Sequence, residues 1–121
     1  MKKPPFHKSV QFTFRGIIWI LRSERNFQFH ILGLIINLFL IVFLELSNIE
    51  TALIILCCFF VLATEALNTC VEKICDYIQP EFDFRIGIIK DLAGGAVMLA
   101  TISSLCVGVL VYWPYLKLIF H

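Results

Sequence analysis

Three long apolar stretches decide what this chain can fold into. Residues 27–44 contain no Lys, Arg, Asp or Glu, and residues 92–116 contain no charged side chain at all. The stretch between them begins near Thr51 and is free of charge only as far as Thr64. A helix needs ~20 predominantly apolar residues, each rising ~1.5 Å, to cross a bilayer. The middle stretch reaches that length only if it includes Glu65 and the residues that follow.

The composition is typical of a membrane protein. Of the 121 residues, 60% are hydrophobic and 16% are charged, and the mean hydropathy is +0.88, whereas an ordinary soluble domain has roughly 25% charged residues. The length leaves room for a single domain, residues 1–121. A net charge of +1 gives no sign of a nucleic acid partner, and we expect none. The five cysteines form no C-x-x-C pair, which favours packing over a redox or metal role.

Ahead of the first apolar stretch, apolar residues recur at helical spacing with basic residues between them. The apolar positions are Phe6, Val10, Phe14, Ile17, Ile18 and Leu21. This pattern predicts that residues 1–25 form an amphipathic helix on the membrane surface, with its basic face towards anionic lipid headgroups. The alternative is that the segment simply extends the first span.

The sequence therefore predicts an all-α integral membrane protein with three transmembrane helices, at residues 27–46, 51–77 and 87–116. Lys and Arg near the ends of the spans set their orientation. Six of the ten basic residues precede the first span, and the first link has acidic residues only. The stretch from Glu72 to Asp91, which includes the second link and the span ends beside it, contains Lys73, Arg85 and Lys90. We therefore expect the N-terminus and the second link in the cytoplasm and the C-terminus outside. Pro80 is expected to end the second span.

The second span carries polar side chains where it should be ending in lipid. They are Glu65, Asn68, Glu72 and Asp76. At ~100° per residue they share one narrow face of a continuous helix, and a charged group in hydrocarbon costs at least ~2.5 kcal/mol. Counting ~20 residues from Thr51 leaves Glu72 and Asp76 at the cytoplasmic interface, with Glu65 ~10 Å deeper. A carboxylate at that depth is costly unless it has a function.

Glu72 and Asp76 are like charges four residues apart, an arrangement that destabilises a helix unless a cation lies nearby. Mg²⁺ is commonly held by one or two carboxylates together with nucleotide phosphates. Lys90, Asp91 and Glu24 reach the same membrane level, so the pattern indicates a site for metal-bound phosphate. Each residue also has a plainer interpretation, since Lys90 could anchor at the interface, Glu24 could be a solvated charge and Asn68 could bond between helices.

The segment "EALNTCVEKICD", preceded by "SERNFQFH" and followed by "IGIIKDLAGGAV", resembles the small bacterial diacylglycerol kinase and undecaprenol kinase family of membrane lipid kinases. The resemblance extends from Phe12 to about Tyr112, and "SERNFQFH" is more similar to the undecaprenol kinase branch. It implies ATP-dependent phosphorylation of a membrane lipid alcohol at the cytoplasmic face of the bacterial inner membrane. Undecaprenol is the favoured acceptor, and diacylglycerol is the alternative.

The resemblance also implies roles for individual residues. Glu65 matches the proposed general base, which takes the proton of the lipid hydroxyl as that hydroxyl attacks the γ-phosphate of ATP. Glu24 and Glu72 match acidic residues that hold the divalent ions, taken as Mg²⁺, on the nucleotide. The implied ATP-binding residues are Asn68, Glu72, Asp76, Lys90, Asp91 and Glu24. In the family three identical chains build the sites between neighbouring subunits, so the resemblance implies a homotrimer.

Two other functions stay open at this point. The chain could be an ion-conducting or transport subunit whose membrane carboxylate relays protons or cations, although its charges are confined to the cytoplasmic half. It could also be a catalytically inactive relative that serves as an interaction subunit. The sequence has no Walker loop G-x-x-x-x-G-K-[ST], so a kinase of this kind would hold phosphates with metal and side chains.

Overall fold

The computed structural model describes residues 2–120, which form four α-helices joined by short links. The helices are α1 (Phe6–Ser23), α2 (Arg25–Phe43), α3 (Asn48–Ile78) and α4 (Phe84–Phe120). The central helix is α3, which packs against both α2 and α4, and α1 packs against α2. The described residues contain no β-strand, and the prediction of an all-α protein is confirmed.

Three of the helices, α2, α3 and α4, are long and apolar enough to cross a membrane. Many of their large apolar side chains are exposed in the single chain, among them Phe39, Leu56 and Leu110. Exposed apolar surface on this scale marks contact with lipid or with a partner rather than with water. The protein is therefore a multi-pass membrane protein with the predicted number of candidate spans.

A single residue, Glu24, separates α1 from α2. Its extended backbone (φ −111°, ψ 114°) ends the first helix and begins the second. The Gln28 side chain donates a hydrogen bond of 3.0 Å to the carbonyl oxygen of Leu21, across the junction. Ile20, Phe27 and Leu62 form a buried cluster that attaches α1 to α2 and α3. These contacts fix the position of Glu24 beside α3.

Helix α3 begins at a capping box and ends shortly before a proline. The Ser47 hydroxyl accepts a hydrogen bond from the backbone N–H of Glu50, and the Glu50 carboxylate accepts one from the N–H of Ser47. This capping box satisfies two backbone donors that the first turn leaves free. The helix ends at Ile78, two residues before Pro80, as predicted from the restriction that proline places on the preceding residue.

Helix α4 is longer than the predicted third span, because it begins at Phe84 and continues through Pro114 to Phe120. Asp83 caps its start by accepting a hydrogen bond of 2.8 Å from the backbone N–H of Arg85. Near its other end, the Tyr112 hydroxyl donates to Asn37 Oδ1 over 2.7 Å, on α2. Interhelical bonds of this kind hold membrane helices together where the hydrophobic effect cannot.

Candidate active site

The polar residues of the second span lie on one face of α3, because the helix is continuous from Asn48 to Ile78. We call Glu65, Asn68, Glu72 and Asp76 the acidic face. Glu65 and Asn68 are buried, with 4% and 9% of their surface exposed, whereas Glu72 and Asp76 are exposed. Burial inside the protein therefore follows the same order as the depth in the membrane that the sequence predicts.

The Glu65 carboxylate faces α2. Its Oε2 atom lies 3.8 Å from Nε2 of His30, and the Asn26 side chain lies beside it. Glu24 and Glu72 are close enough for their charges to act on it. The structure thus brings two other predicted site residues, Glu72 of α3 and Glu24 at the junction of α1 and α2, near this buried carboxylate. Such a group needs a partner that offsets the cost of burying its charge.

Asn68 and Glu72 lie one helical turn apart, and each has a side-chain oxygen that can bind a metal ion. Asn68 Nδ2 donates a hydrogen bond of 3.3 Å to Glu72 Oε1. The amide oxygen of Asn68 is buried and has no hydrogen-bond partner among the described residues. A buried acceptor left without a partner costs about 1–3 kcal/mol. That cost suggests that Asn68 Oδ1 binds a ligand that the isolated chain does not contain.

The donor set fits Mg²⁺, which prefers hard oxygen ligands. Asn68 Oδ1 and the Glu72 carboxylate could both reach one ion, and Glu24 supplies a further carboxylate from the junction of α1 and α2. Within residues 2–120, no three His, Cys, Asp or Glu side chains converge closely enough to hold a metal by themselves. That arrangement suits an ion that takes one or two carboxylates from the protein and its other ligands from phosphates and water.

Lys90 lies across from the exposed end of the acidic face. Its Nζ atom donates to Asp76 Oδ1, joining α4 to α3, and Glu72 is also near it. An exposed ion pair contributes little to stability, so the main effect of this one is to hold the ammonium group beside the carboxylates. Asp91 is exposed and lies in none of the ion pairs formed by the described residues.

Sequence reasoning missed two residues that contact the predicted site. His30 lies in the first predicted span and receives no role from the sequence pattern, although an ionisable side chain in an apolar stretch is itself a functional signal. Lys73 was used only to orient the spans, yet its Nζ atom lies 3.9 Å from Glu24 Oε1. It also lies 5.5 Å from the centre of the Trp19 ring. Both contacts join different helices, so spacing along the chain did not reveal them.

A wide apolar groove of about 740 Å³ lies between α1, α2 and α3, and we call it the α1 groove. Along α3 it is lined from Phe59 to Ile74, a distance of about 22 Å. Thr69 and Lys73 line the end of the groove that is nearest the acidic face. At ~100° per residue, these two side chains lie on α3 between the groove and the acidic face. The groove therefore runs from apolar surface to the neighbourhood of Glu65.

A second cavity, of about 460 Å³, lies between α2, α3 and α4. His30, Asn37, Ser104 and Tyr112 are among its lining residues. The last three form interhelical hydrogen bonds, from Tyr112 to Asn37 and from Ser104 to the backbone of α3. Because these three side chains already have hydrogen-bond partners within the protein, we assign none of them to the candidate site.

Comparison with known proteins supports the resemblance found in the sequence. Residues 11–112 match the prokaryotic diacylglycerol kinase family. The undecaprenol kinase of Bacillus subtilis (strain 168) is 36% identical over 111 residues, which are 92% of this chain and 90% of that protein. A diacylglycerol kinase of Synechocystis sp. is 30% identical over 101 residues, which are 83% of this chain but only 58% of that protein.

The diacylglycerol kinase of Escherichia coli (strain K12) is 24% identical over 110 residues, which are 89% of this chain and 88% of that protein. All three relatives are named as lipid kinases, and the family match covers the acidic face as well as Glu24 and Lys90. These findings favour the kinase interpretation over a transport subunit. The chain belongs to the prokaryotic diacylglycerol kinase family and is a lipid kinase.

Proposed function

We propose that this protein transfers the γ-phosphate of ATP to undecaprenol at the cytoplasmic face of the bacterial inner membrane, with Mg²⁺ as the metal ion. The observation that carries the proposal is the buried Glu65 carboxylate, which shares a face of α3 with Asn68 and Glu72 and precedes by one helical turn Thr69, a lining residue of the α1 groove. Undecaprenol is preferred because the relative named for it is 36% identical, against 30% and 24% for the two named for diacylglycerol. Diacylglycerol is the alternative acceptor.

Glu65 acts as the general base. As the lipid oxygen bonds to the γ-phosphorus, its proton passes to the Glu65 carboxylate, and the bond from the γ-phosphorus to the bridging oxygen breaks to release ADP. A base must lie within hydrogen-bond reach of the proton that it removes, and the alcohol of a lipid is confined to the interface. The contact with His30 limits the directions in which the carboxylate can point.

The nucleotide binds at the exposed end of the acidic face. Asn68, Glu72 and Glu24 would hold Mg²⁺, which when bound neutralises part of the charge on the phosphates. Lys90, placed by Asp76, donates to a phosphate oxygen, and Asp91 lies at the outer edge of the nucleotide site. Positioning and electrostatics supply most of the catalysis in phosphoryl transfer, which is the type of contribution that these side chains can make.

The α1 groove takes the hydrocarbon chain of the acceptor. Nearly all of its lining is apolar. Thr69, one of its few polar lining residues, lies one turn from Glu65, and its hydroxyl donates to the Glu65 carbonyl oxygen over 3.1 Å. An amphiphile lying in the groove would bring its alcohol to the part of the groove near Thr69. The surface segment predicted at residues 1–25 contains α1, which lies on the membrane surface with its basic side chains towards the headgroups and forms the outer wall of the groove.

The membrane arrangement follows the sequence. The spans are residues 27–46, 51–77 and 87–116 of one domain, with the N-terminus in the cytoplasm and the C-terminus outside. We propose a homotrimer whose sites lie between neighbouring subunits. Exposed apolar faces on all three long helices support an assembly larger than one chain. Mixing Glu65→Gln chains with Lys90→Met chains should then restore part of the activity that each variant lacks.

A direct comparison of acceptors tests the proposal. Purified protein in mixed micelles, with Mg²⁺ and labelled ATP, should transfer phosphate to undecaprenol with a kcat/KM at least about tenfold above that for diacylglycerol, because poorly fitting chains lose 1–3 kcal/mol of binding. The opposite ranking would make the protein a diacylglycerol kinase. If neither lipid is phosphorylated, calorimetry with Mg-ATP identifies an inactive relative, which would show no binding.

A further inference from the structure

Lys73 joins three parts of the chain at the end of the α1 groove. It projects from α3, its Nζ atom lies 5.5 Å from the centre of the Trp19 ring on α1, and the same atom lies 3.9 Å from Glu24 Oε1 at the junction of α1 and α2. The ammonium group thus interacts with an aromatic face and a carboxylate at once. Cation–π attraction and ion pairing both favour keeping it there.

Few other contacts hold α1 in place. Among the described residues of α1, Ile20 alone is buried. It packs on Phe27 and Leu62. The aromatic and aliphatic side chains on either side of it are exposed, including Phe14 at 62%. Besides the Gln28 hydrogen bond at the junction, the position of α1 over the groove therefore depends on two attachments, the Ile20 cluster and Lys73.

Trp19 and Lys73 both line the α1 groove. A change in their contact would move α1 and alter the width of the groove at the end where the acceptor alcohol reacts. We infer that Lys73 is a positioning residue for the lipid acceptor, which holds α1 against α3 through Trp19 and Glu24 and thereby sets which lipid chains the groove accepts. The inference rests on the proposed function in one respect, the assignment of the groove to the acceptor.

Lys73→Met removes both interactions while keeping most of the apolar stem. Because each is an exposed interaction of modest strength, we expect the KM for undecaprenol to rise about three- to tenfold. Lys73→Arg keeps the charge and stacks on aromatic rings, so it should restore the KM. The matched control is Lys117→Met, which replaces an exposed lysine in the last turn of α4. It should leave the KM for undecaprenol unchanged.

The pairing with Trp19 has its own test. If Lys73 acts in part through Trp19, the effects of Trp19→Leu and Lys73→Met on the KM for lipid are less than additive in the double variant. Fully additive effects would mean that Lys73 does not act through Trp19 and would overturn the inference.

Fluorescence separates this inference from the kinase proposal. The chain has two tryptophans, so a Trp113→Phe background leaves Trp19 as the only tryptophan, whose emission is excited separately from that of the tyrosines. Titration with undecaprenol in micelles without ATP should shift the Trp19 emission saturably, and Lys73→Met should raise the half-saturating lipid about three- to tenfold. A protein that transfers phosphate but shows no lipid-dependent change at Trp19 would overturn the inference and leave the kinase intact. Absence of transfer with an unaltered Trp19 response would instead contradict the proposed function.

Discussion

His30 on α2 and Glu65 on α3 face each other, with 3.8 Å between Nε2 of the imidazole and Oε2 of the carboxylate. The carboxylate is almost fully buried, whereas the histidine keeps 28% of its side chain exposed. A base that is oriented by a neighbouring group is a recurrent arrangement in enzymes. The pair therefore links the catalytic proposal for Glu65 to a residue whose role can be measured independently.

Replacing His30 with alanine should lower kcat about tenfold and leave the KM for ATP unchanged, because the Glu65 carboxylate would lose the group that limits its orientation. His30→Gln retains an N–H donor and should recover part of the loss. Steady-state kinetics in mixed micelles check both values, with His7→Gln on exposed α1 as the control. An unchanged kcat in His30→Ala would show that Glu65 needs no such partner.

Asn68→Leu should affect the melting temperature differently in the absence and in the presence of Mg-ATP. Its amide oxygen is buried without a partner, so removing it should leave the melting temperature without nucleotide unchanged or higher. The stabilisation by Mg-ATP should fall sharply, since a ligand stabilises only a state that binds it. Thermal melts with and without Mg-ATP measure both effects. Full retention of the nucleotide-induced shift would remove Asn68 from the metal site.

Exchanging the partners of the ion pair between α3 and α4 should separate stability from function. Asp76→Lys with Lys90→Asp keeps opposite charges across the same gap, so the melting temperature should change little. The ammonium group would then project from α3 instead of α4, and kcat/KM for ATP should drop at least about tenfold, as expected when a phosphate contact is lost. Near-normal kcat/KM in the exchanged protein would contradict the proposed contact of Lys90 with phosphate.

The periodic features were predictable from the sequence, and the contacts between helices were not. The acidic face of α3 and the stop before Pro80 depend on local geometry, which repeats every 3.6 residues. The pairs His30–Glu65 and Lys73–Trp19 depend on how each helix is rotated about its axis, which packing decides. Pro114 does not end α4, which continues past it to Phe120, so the presence of a proline does not by itself decide where a helix ends.

Tyr112→Phe should destabilise the protein by about 0.6 kcal/mol and by no more than about 1.7 kcal/mol, the mean and the maximum measured for hydrogen bonds between membrane helices, since it leaves Asn37 Oδ1 without the donor it has at 2.7 Å. The double variant with Asn37→Leu should recover most of the loss, because both polar groups are then gone. Unfolding in mixed detergent measures the change. Equal loss in the single and double variants would mean that the hydrogen bond is not the cause.

The most direct test of the account is phosphate transfer by Glu65→Gln, measured beside its binding of Mg-ATP. Removal of a general base should lower kcat by about 10²–10⁴, while calorimetry should show Mg-ATP binding within about twofold of the unaltered protein, because Glu65 is not among the residues proposed to hold the nucleotide. Glu81→Gln in the exposed second link serves as the control. Transfer to undecaprenol by Glu65→Gln at the rate of the unaltered protein would contradict the proposed mechanism.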